Sequence, residues 1–148
     1  MKHDLTRFLL DVNVLIALID PAHLQHDRAH DWFASTGGKA WATCPLTQNG
    51  VIRIVGHARY PNSPGTPAAV AELMTAFLAH PGHEFWPDRI TLLDGKLVYT
   101  ARLLESAQVT DSYLLALAAS YGGKLATFDR QLVTDAVVHG AEALHLLI

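Results

Sequence analysis

Apolar and polar residues follow one another along the chain in a pattern that predicts short strands separated by helices. The first apolar run, Phe8-Leu9-Leu10, is too short for a helix and stops at an acid, Asp11, which is typical of a buried strand. A helical pattern then resumes, and Asn13 is a suitable N-cap for a helix that begins near Val14. Similar apolar runs predict further strands at residues 40–44, 84–86, 124–127 and 143–147.

The segments between these runs carry apolar residues at helical spacing. They predict helices at residues 24–33, 47–57, 68–78, 97–106 and 111–121, and a short helix between Asp129 and Val133. Thr110 is the candidate N-cap of helix 111–121, which Gly122-Gly123 ends, and residues 60–67 form a loop. Residues 90–92 are predicted as a turn or a sheet edge. Because strands alternate with helices, we predict one α/β domain over residues 1–148, with a mostly parallel central sheet of about four to five strands flanked by helices.

Composition narrows the class of protein. Half of the 148 residues are hydrophobic and 17% are charged, so the chain can form a sizeable core, and its net charge of -3 excludes a globally basic nucleic-acid-binding protein. Cys44 is the only cysteine, which excludes a disulfide framework and a cysteine-rich zinc site. The amino terminus, residues 1–4, leads into an apolar run too short for a signal peptide, and no run is long enough for a membrane span. We therefore expect a cytoplasmic protein without membrane contact.

Three acids are predicted to meet at one edge of the sheet. Asp11 and Asp129 each follow an apolar strand, and the carboxyl ends of parallel strands lie on the same edge. Asp111 lies in the first turn of a helix that starts on that edge. Each acid alone is also explained by turn formation or helix capping, but three carboxylates together repel one another unless a cation joins them. Mg²⁺ takes one or two carboxylates with waters and phosphate oxygens, and it supports hydrolysis at phosphorus.

Three segments, in this order along the chain, resemble the acidic motifs of PIN-domain ribonucleases. They are Leu10-Asp11-Val12-Asn13-Val14-Leu15, Thr110-Asp111-Ser112-Tyr113-Leu114-Leu115-Ala116-Leu117-Ala118 and Leu125-Ala126-Thr127-Phe128-Asp129. The resemblance covers nearly the whole chain and is closest to the VapC-type toxins of bacterial toxin–antitoxin pairs. It implies an endoribonuclease that depends on Mg²⁺ or Mn²⁺ and is held inactive by a small antitoxin protein. It also favours a homodimer, for which the alanine-rich helix 68–78 offers apolar surface.

By that resemblance, Asp11 and Asp111 are metal ligands, and Asp129 joins the acidic cluster directly or through water. Asn13 and Thr127 would orient these groups by hydrogen bonds. The family usually has a further acid, commonly Glu, in the helix after the second strand, and we align Gln48 with it. Glutamine offers a carbonyl oxygen but no charge, so the number of metal ions, one or two, stays open.

Arg53, together with His57 and Arg59, is a candidate patch for RNA phosphates, although surface charges without a partner are an equal alternative. Two other functions remain open. An aspartyl phosphatase of the haloacid-dehalogenase type would use Asp11 as its nucleophile, but Asn13 replaces the second acid that it needs. A PIN-like module that binds RNA or protein with weak or lost nuclease activity is the other alternative, and Gln48 favours it.

Overall fold

A computed structural model describes residues 5–148; residues 1–4, on which the expectation about a signal peptide depends, lie outside the described part. Five strands form one sheet: β1 (Phe8–Leu10), β2 (Trp41–Thr43), β3 (His83–Phe85), β4 (Lys124–Thr127) and β5 (Leu144–Leu146). Their spatial order is β3-β2-β1-β4-β5, and every neighbouring pair is parallel. The predicted parallel α/β sheet is therefore confirmed, with β1 in its centre.

Five α-helices lie in the connections between β1 and β4: α1 (Val12–Ile19), α2 (His26–Ser35), α3 (Pro45–Val55), α4 (Pro67–Leu78) and α5 (Gln108–Ser120). Single 3₁₀ turns lie at Gly37–Lys39 and Thr100–Arg102. Each α-helix overlaps one predicted from the sequence and differs by a few residues at its ends. No helix within residues 5–148 has both the length and the apolar character needed to cross a membrane.

The strand side chains alternate between two cores, one on each face of the sheet. Phe8, Leu10 and Trp41 point to the face covered by α1 to α4, whereas Leu9 and Leu125 point to the face covered by α5. All five are at most 7% exposed. Successive side chains of a strand leave the sheet on opposite faces, which accounts for one core on each face.

The start of α1 differs from the prediction. Asp11, not Asn13, is the N-cap, because its backbone is extended (φ -62°, ψ 158°) and its carboxylate accepts the N–H of Val12 at 2.8 Å. Likewise α5 begins at Gln108, so Thr110 lies inside its first turn. The side chain of Gln108 accepts the N–H groups of Leu104 and Glu105, and in this way it holds the chain that enters the helix.

Two predicted helices are absent from the described residues. Over residues 97–106 only the 3₁₀ turn forms, because the backbone of this segment bonds to a distant one: Tyr99 N–H donates to Ala136 O (2.7 Å) and Val138 N–H donates to Leu97 O (2.9 Å). Asp129 does not start a helix, because its carboxylate accepts the N–H of Gln131 at 2.9 Å and closes a turn instead.

Candidate active site

The three acids predicted from the sequence lie at the carboxyl edge of the sheet. Asp11 directly follows β1, Asp129 follows the neighbouring strand β4, and Asp111 lies in the first turn of α5, which packs on both strands. Their negative charges act on one another, since Asp129 raises the pKa of Asp11, and both raise the pKa of Asp111. The fold therefore brings the acids of the three motifs into one electrostatic cluster, which we call the acidic cluster.

Asp11 is the most buried member of the acidic cluster, with 8% of its surface exposed. Burial raises the pKa of its carboxyl above the ordinary value, and hydrogen bonds from Thr127 and Val12 oppose that effect. The two donors use different oxygens, because Val12 N–H bonds to Oδ1 and the Thr127 hydroxyl bonds to Oδ2, each at 2.8 Å. The carboxylate is consequently fixed in orientation while each oxygen keeps lone-pair capacity for a further partner.

Asp111 carries the largest perturbation in the acidic cluster. Partial burial, followed by the charges of Asp11 and Asp129, raises the pKa of its carboxyl from 3.8 to about 6. Among residues 5–148, no arginine or lysine is a cause of this shift. Burial first, and then the negative charges of Asp11 and Asp129, disfavour the ionised form of this carboxyl.

Thr127 and Asn13 connect the elements that carry two of these acids. The Thr127 hydroxyl donates to Asp11, and its oxygen accepts from Asn13 Nδ2 and from the N–H of Asp129, both at 3.1 Å. Asn13 Oδ1 also accepts the N–H of Phe128 at 3.2 Å. Because Asp11 occupies the N-cap position, Asn13 is free to bridge α1 and the turn after β4. The orienting role that the resemblance implied for Asn13 and Thr127 would act through these contacts and stays a prediction.

A cavity of about 420 Å³ opens beside Asp11 and is bounded on one side by α3. The face of α3 that lines it is Leu46, Asn49, Gly50 and Arg53. A Cβ atom on Gly50 would lie 2.7 Å from Val12 Cγ2, so glycine allows α3 to pack close to α1 at this point. Arg53 therefore shares a cavity with Asp11. A larger, open cavity of about 660 Å³ between α2 and β5 contains none of the three acids.

Gln48 does not lie where the sequence predicted it. Its amide donates to Thr43 Oγ1 at 3.0 Å, and that hydroxyl in turn bonds to His83 Nε2 at 2.7 Å. Gln48 does not line the cavity beside Asp11, whereas the next residue, Asn49, does. Sequence reasoning thus missed Asn49. The spacing of Leu46, Asn49, Gly50 and Arg53 (i, i+3, i+4, i+7) was the signal that these residues share one helical face.

The carboxylate oxygens of the acidic cluster fit a hard divalent cation that takes few of its ligands from the protein. Within residues 5–148 no group of three or more His, Cys, Asp or Glu side chains is placed to hold a metal ion, so the three acids of the acidic cluster do not form a closed metal cage. Mg²⁺ does not need one, because it usually retains waters and takes one or two carboxylates. Next to Asp111, the fully buried hydroxyl of Ser112 has no hydrogen-bond partner in the described part of the chain. A buried polar group without a protein partner is a place where an ordered water is expected.

Comparison with known sequences finds matches over most of the chain. The sequence profile of the PIN domain matches residues 8–135. The chain is 43% identical over 140 residues to Ribonuclease VapC44 of Mycobacterium tuberculosis, covering 95% of this chain and 97% of the relative.

Two solved structures share the fold at low sequence identity. VapC20 of Mycobacterium tuberculosis, a sarcin-ricin loop cleaving toxin, superposes with a TM-score of 0.63 at 16% identity, over 88% of this chain and 96% of the other. VapBC2 from Rickettsia felis, bound to a DNA fragment from its promoter, gives a TM-score of 0.57 at 13% identity, over 84% and 89% of the two chains.

Proposed function

Because the chain belongs to the PIN-domain family and its relatives include VapC ribonucleases, we propose that it is a metal-dependent endoribonuclease that hydrolyses phosphodiester bonds of RNA. The observation that carries the proposal is the acidic cluster at the sheet edge, with Arg53 in the cavity beside Asp11. Because the chain belongs to this family, we do not retain the alternative of an aspartyl phosphatase.

Asp11, Asp111 and Asp129 are the residues that would hold Mg²⁺ or Mn²⁺. The chemistry that such a cation supplies is charge stabilisation at phosphorus and activation of water. Within the cavity, α3 presents Asn49 and Gly50 and no carboxylate. Fewer negative charges favour fewer cations, so we propose a site for one metal ion rather than two.

The other residues of the site position the acids or bind the RNA. Thr127 and the backbone of Val12 hold the carboxylate of Asp11 in one orientation, and Asn13 fixes the turn that carries Asp129. Arg53 lines the same cavity as Asp11, where its guanidinium is suited to bind a phosphate of the RNA in bidentate fashion. Binding of the phosphate at Arg53 would place the scissile bond next to the acidic cluster.

We further propose that the protein is a cytoplasmic toxin, a homodimer that a small antitoxin neutralises. The solved VapBC2 complex supports an antitoxin partner by its shared fold. Helix α4 buries only Val70 and Met74 and leaves Leu73 49% exposed, so it offers apolar surface to a second subunit. An antitoxin helix would bind an apolar groove. Light scattering tests the dimer, and co-purification with the product of the neighbouring gene tests the antitoxin.

One observation favours the alternative of a binding module with weak or lost activity, namely that α3 contributes no acid to the cavity. A cleavage assay separates the two functions. A 5′-labelled single-stranded RNA is incubated with the wild type, Asp11→Asn and Asp111→Asn, in Mg²⁺, in Mn²⁺ and in EDTA. We expect internal cleavage by the wild type with metal only, and a loss of at least about 100-fold in both variants. Binding of RNA without any metal-dependent cleavage would instead support the module, and equal cleavage by all three proteins in EDTA would refute the metal site.

A further inference from the structure

A second cavity adjoins the one beside Asp11. It has a volume of about 390 Å³ and is lined by Arg53, Ile54, His57, Arg59, Tyr60 and Pro61; we call it the basic groove. Arg53 and Ile54 line both cavities. The basic groove therefore begins where the site of the acidic cluster ends and follows the carboxyl-terminal half of α3 away from Asp11.

The charge of the basic groove is opposite to that of the acidic cluster. Two arginines and a histidine line it, and none of its lining residues is acidic. Among residues 5–148 no carboxylate forms an ion pair with Arg53 or Arg59, and both side chains are exposed. In a chain with a net charge of -3, this is a local concentration of positive charge directly beside the site.

The walls of the basic groove are held in place from the far end of α1. Asp20, which follows α1, is 6% exposed, and its carboxylate accepts the Tyr60 hydroxyl and the side-chain amide of Asn62. The ring of His57 accepts the N–H of Arg59 at 3.0 Å. Asp20 itself does not line the basic groove, and within residues 5–148 no ion pair joins it to Arg59.

A rigid helix thus links the two sites. The amino-terminal end of α1 carries Asp11, and its carboxyl-terminal end carries Asp20, which fixes Tyr60. The distance between the acidic cluster and the basic groove is consequently set by the fold and does not depend on a loop alone. An extended polyanion bound at Arg53 would meet Arg59 and the Tyr60 ring next.

We propose that the basic groove is a binding subsite for single-stranded RNA on one side of the bond that is cleaved. This inference rests on the proposed ribonuclease function. Arg59 binds a backbone phosphate, and the Tyr60–Pro61 wall packs against the neighbouring ribose or base. Positive grooves combined with aromatic side chains are the usual means by which proteins hold single strands without reading a sequence.

The test is binding measured without cleavage. Fluorescence anisotropy with a labelled ten-nucleotide single-stranded RNA, in EDTA, is recorded for the wild type, Arg59→Ala and Arg28→Ala across a series of salt concentrations. Arg28 is the matched control, because it is an exposed arginine on α2 and lines the cavity that lacks the three acids. We expect Arg59→Ala to weaken binding about 3- to 10-fold at low salt and to reduce the slope of log K against log salt by about 0.7, as for one lost phosphate contact to a single strand. Arg28→Ala should match the wild type.

Equal affinity and equal salt slope for Arg59→Ala and the wild type would overturn the subsite. If the Arg59 variant still cleaves RNA in Mg²⁺, the proposed function survives that result, whereas a wild type that neither binds nor cleaves RNA removes both proposals. If Arg59→Ala leaves RNA binding intact but weakens binding of the co-expressed antitoxin, the basic groove is a protein-binding surface and the subsite is refuted.

Discussion

The hydroxyl of Thr127 is the point at which the site is most sensitive to a single change. Thr127 is fully buried, and its oxygen bonds to the carboxylate of Asp11, the amide of Asn13 and the backbone N–H of Asp129. Thr127→Val keeps the branched shape and removes all three bonds. The bond to the charged carboxylate is worth about 1.5–3 kcal/mol and each neutral bond about 0.5–1.5 kcal/mol. Valine's better burial and solvent access to Asp129 offset part of that loss, so we expect the free energy of unfolding to fall by about 2–4 kcal/mol.

Urea unfolding at pH 7.5, followed by tryptophan fluorescence, measures this difference. Thr127→Ser is the control, because it retains the hydroxyl and loses one methyl group, at about 0.5–1.5 kcal/mol. The hydroxyl bond also lowers the pKa of Asp11, so the penalty of Thr127→Val should be larger at pH 7.5 than at pH 4.5, because the higher pH favours the ionised carboxylate. If the valine and serine variants lose the same stability at both pH values, the hydroxyl does not support the carboxylate and the reasoning is refuted.

Two further predictions concern the charge of the site. The folded-state pKa of Asp111, about 6, exceeds its unfolded value of 3.8, so without metal the folded state loses stability as pH rises from about 4 to about 6. The free energy of unfolding of Asp111→Asn, measured with urea in EDTA, should therefore rise by about 1–2 kcal/mol relative to the wild type across that pH range. Excess Mg²⁺ should remove this gain. A difference that does not depend on pH would show that the ionisation of Asp111 is not its cause. Asn49→Asp should tighten Mg²⁺ binding about 3- to 10-fold in calorimetry, because it adds a charge to the cavity that contains Asp11, whereas Gln48→Glu should change it less because Gln48 bonds to Thr43. The reverse order would show that Gln48 is the residue facing the metal.

Local sequence patterns predicted the sheet because its strands are short apolar runs with strong boundaries. Residues 124–127 match β4 at both ends, and the glycine that follows α5, Gly122, has the positive φ (71°) that such an ending favours. The position of the acids at the sheet edge follows from the parallel topology alone. These features depend on contacts near in sequence or on the general rule for parallel sheets.

Two of the errors arose where distant contacts decide the structure. Residues 97–106 have a helical pattern, but Val98 pairs with Val137, a partner that no local pattern reveals. The choice between Gln48 and Asn49 depends on the rotation of α3, since neighbouring residues on a helix point about 100° apart. The close contact of Gly50 with Val12 accompanies that rotation. The sequence predicted that α3 begins at residue 47, whereas the helix begins at Pro45. That prediction gave no information about the rotation of the helix.

The proposed activity requires Asp11, Asp111 and Asp129 to act as one site for a divalent cation. Titration of Mn²⁺ followed by electron paramagnetic resonance measures free and bound metal directly, without RNA. We predict about one bound Mn²⁺ per chain for the wild type and binding at least about 10-fold weaker for Asp11→Asn and Asp111→Asn. Asp31→Asn, which removes an exposed acid on α2, should bind as the wild type does. Binding that is equal in all four proteins would contradict the account, because the cation would then lie elsewhere.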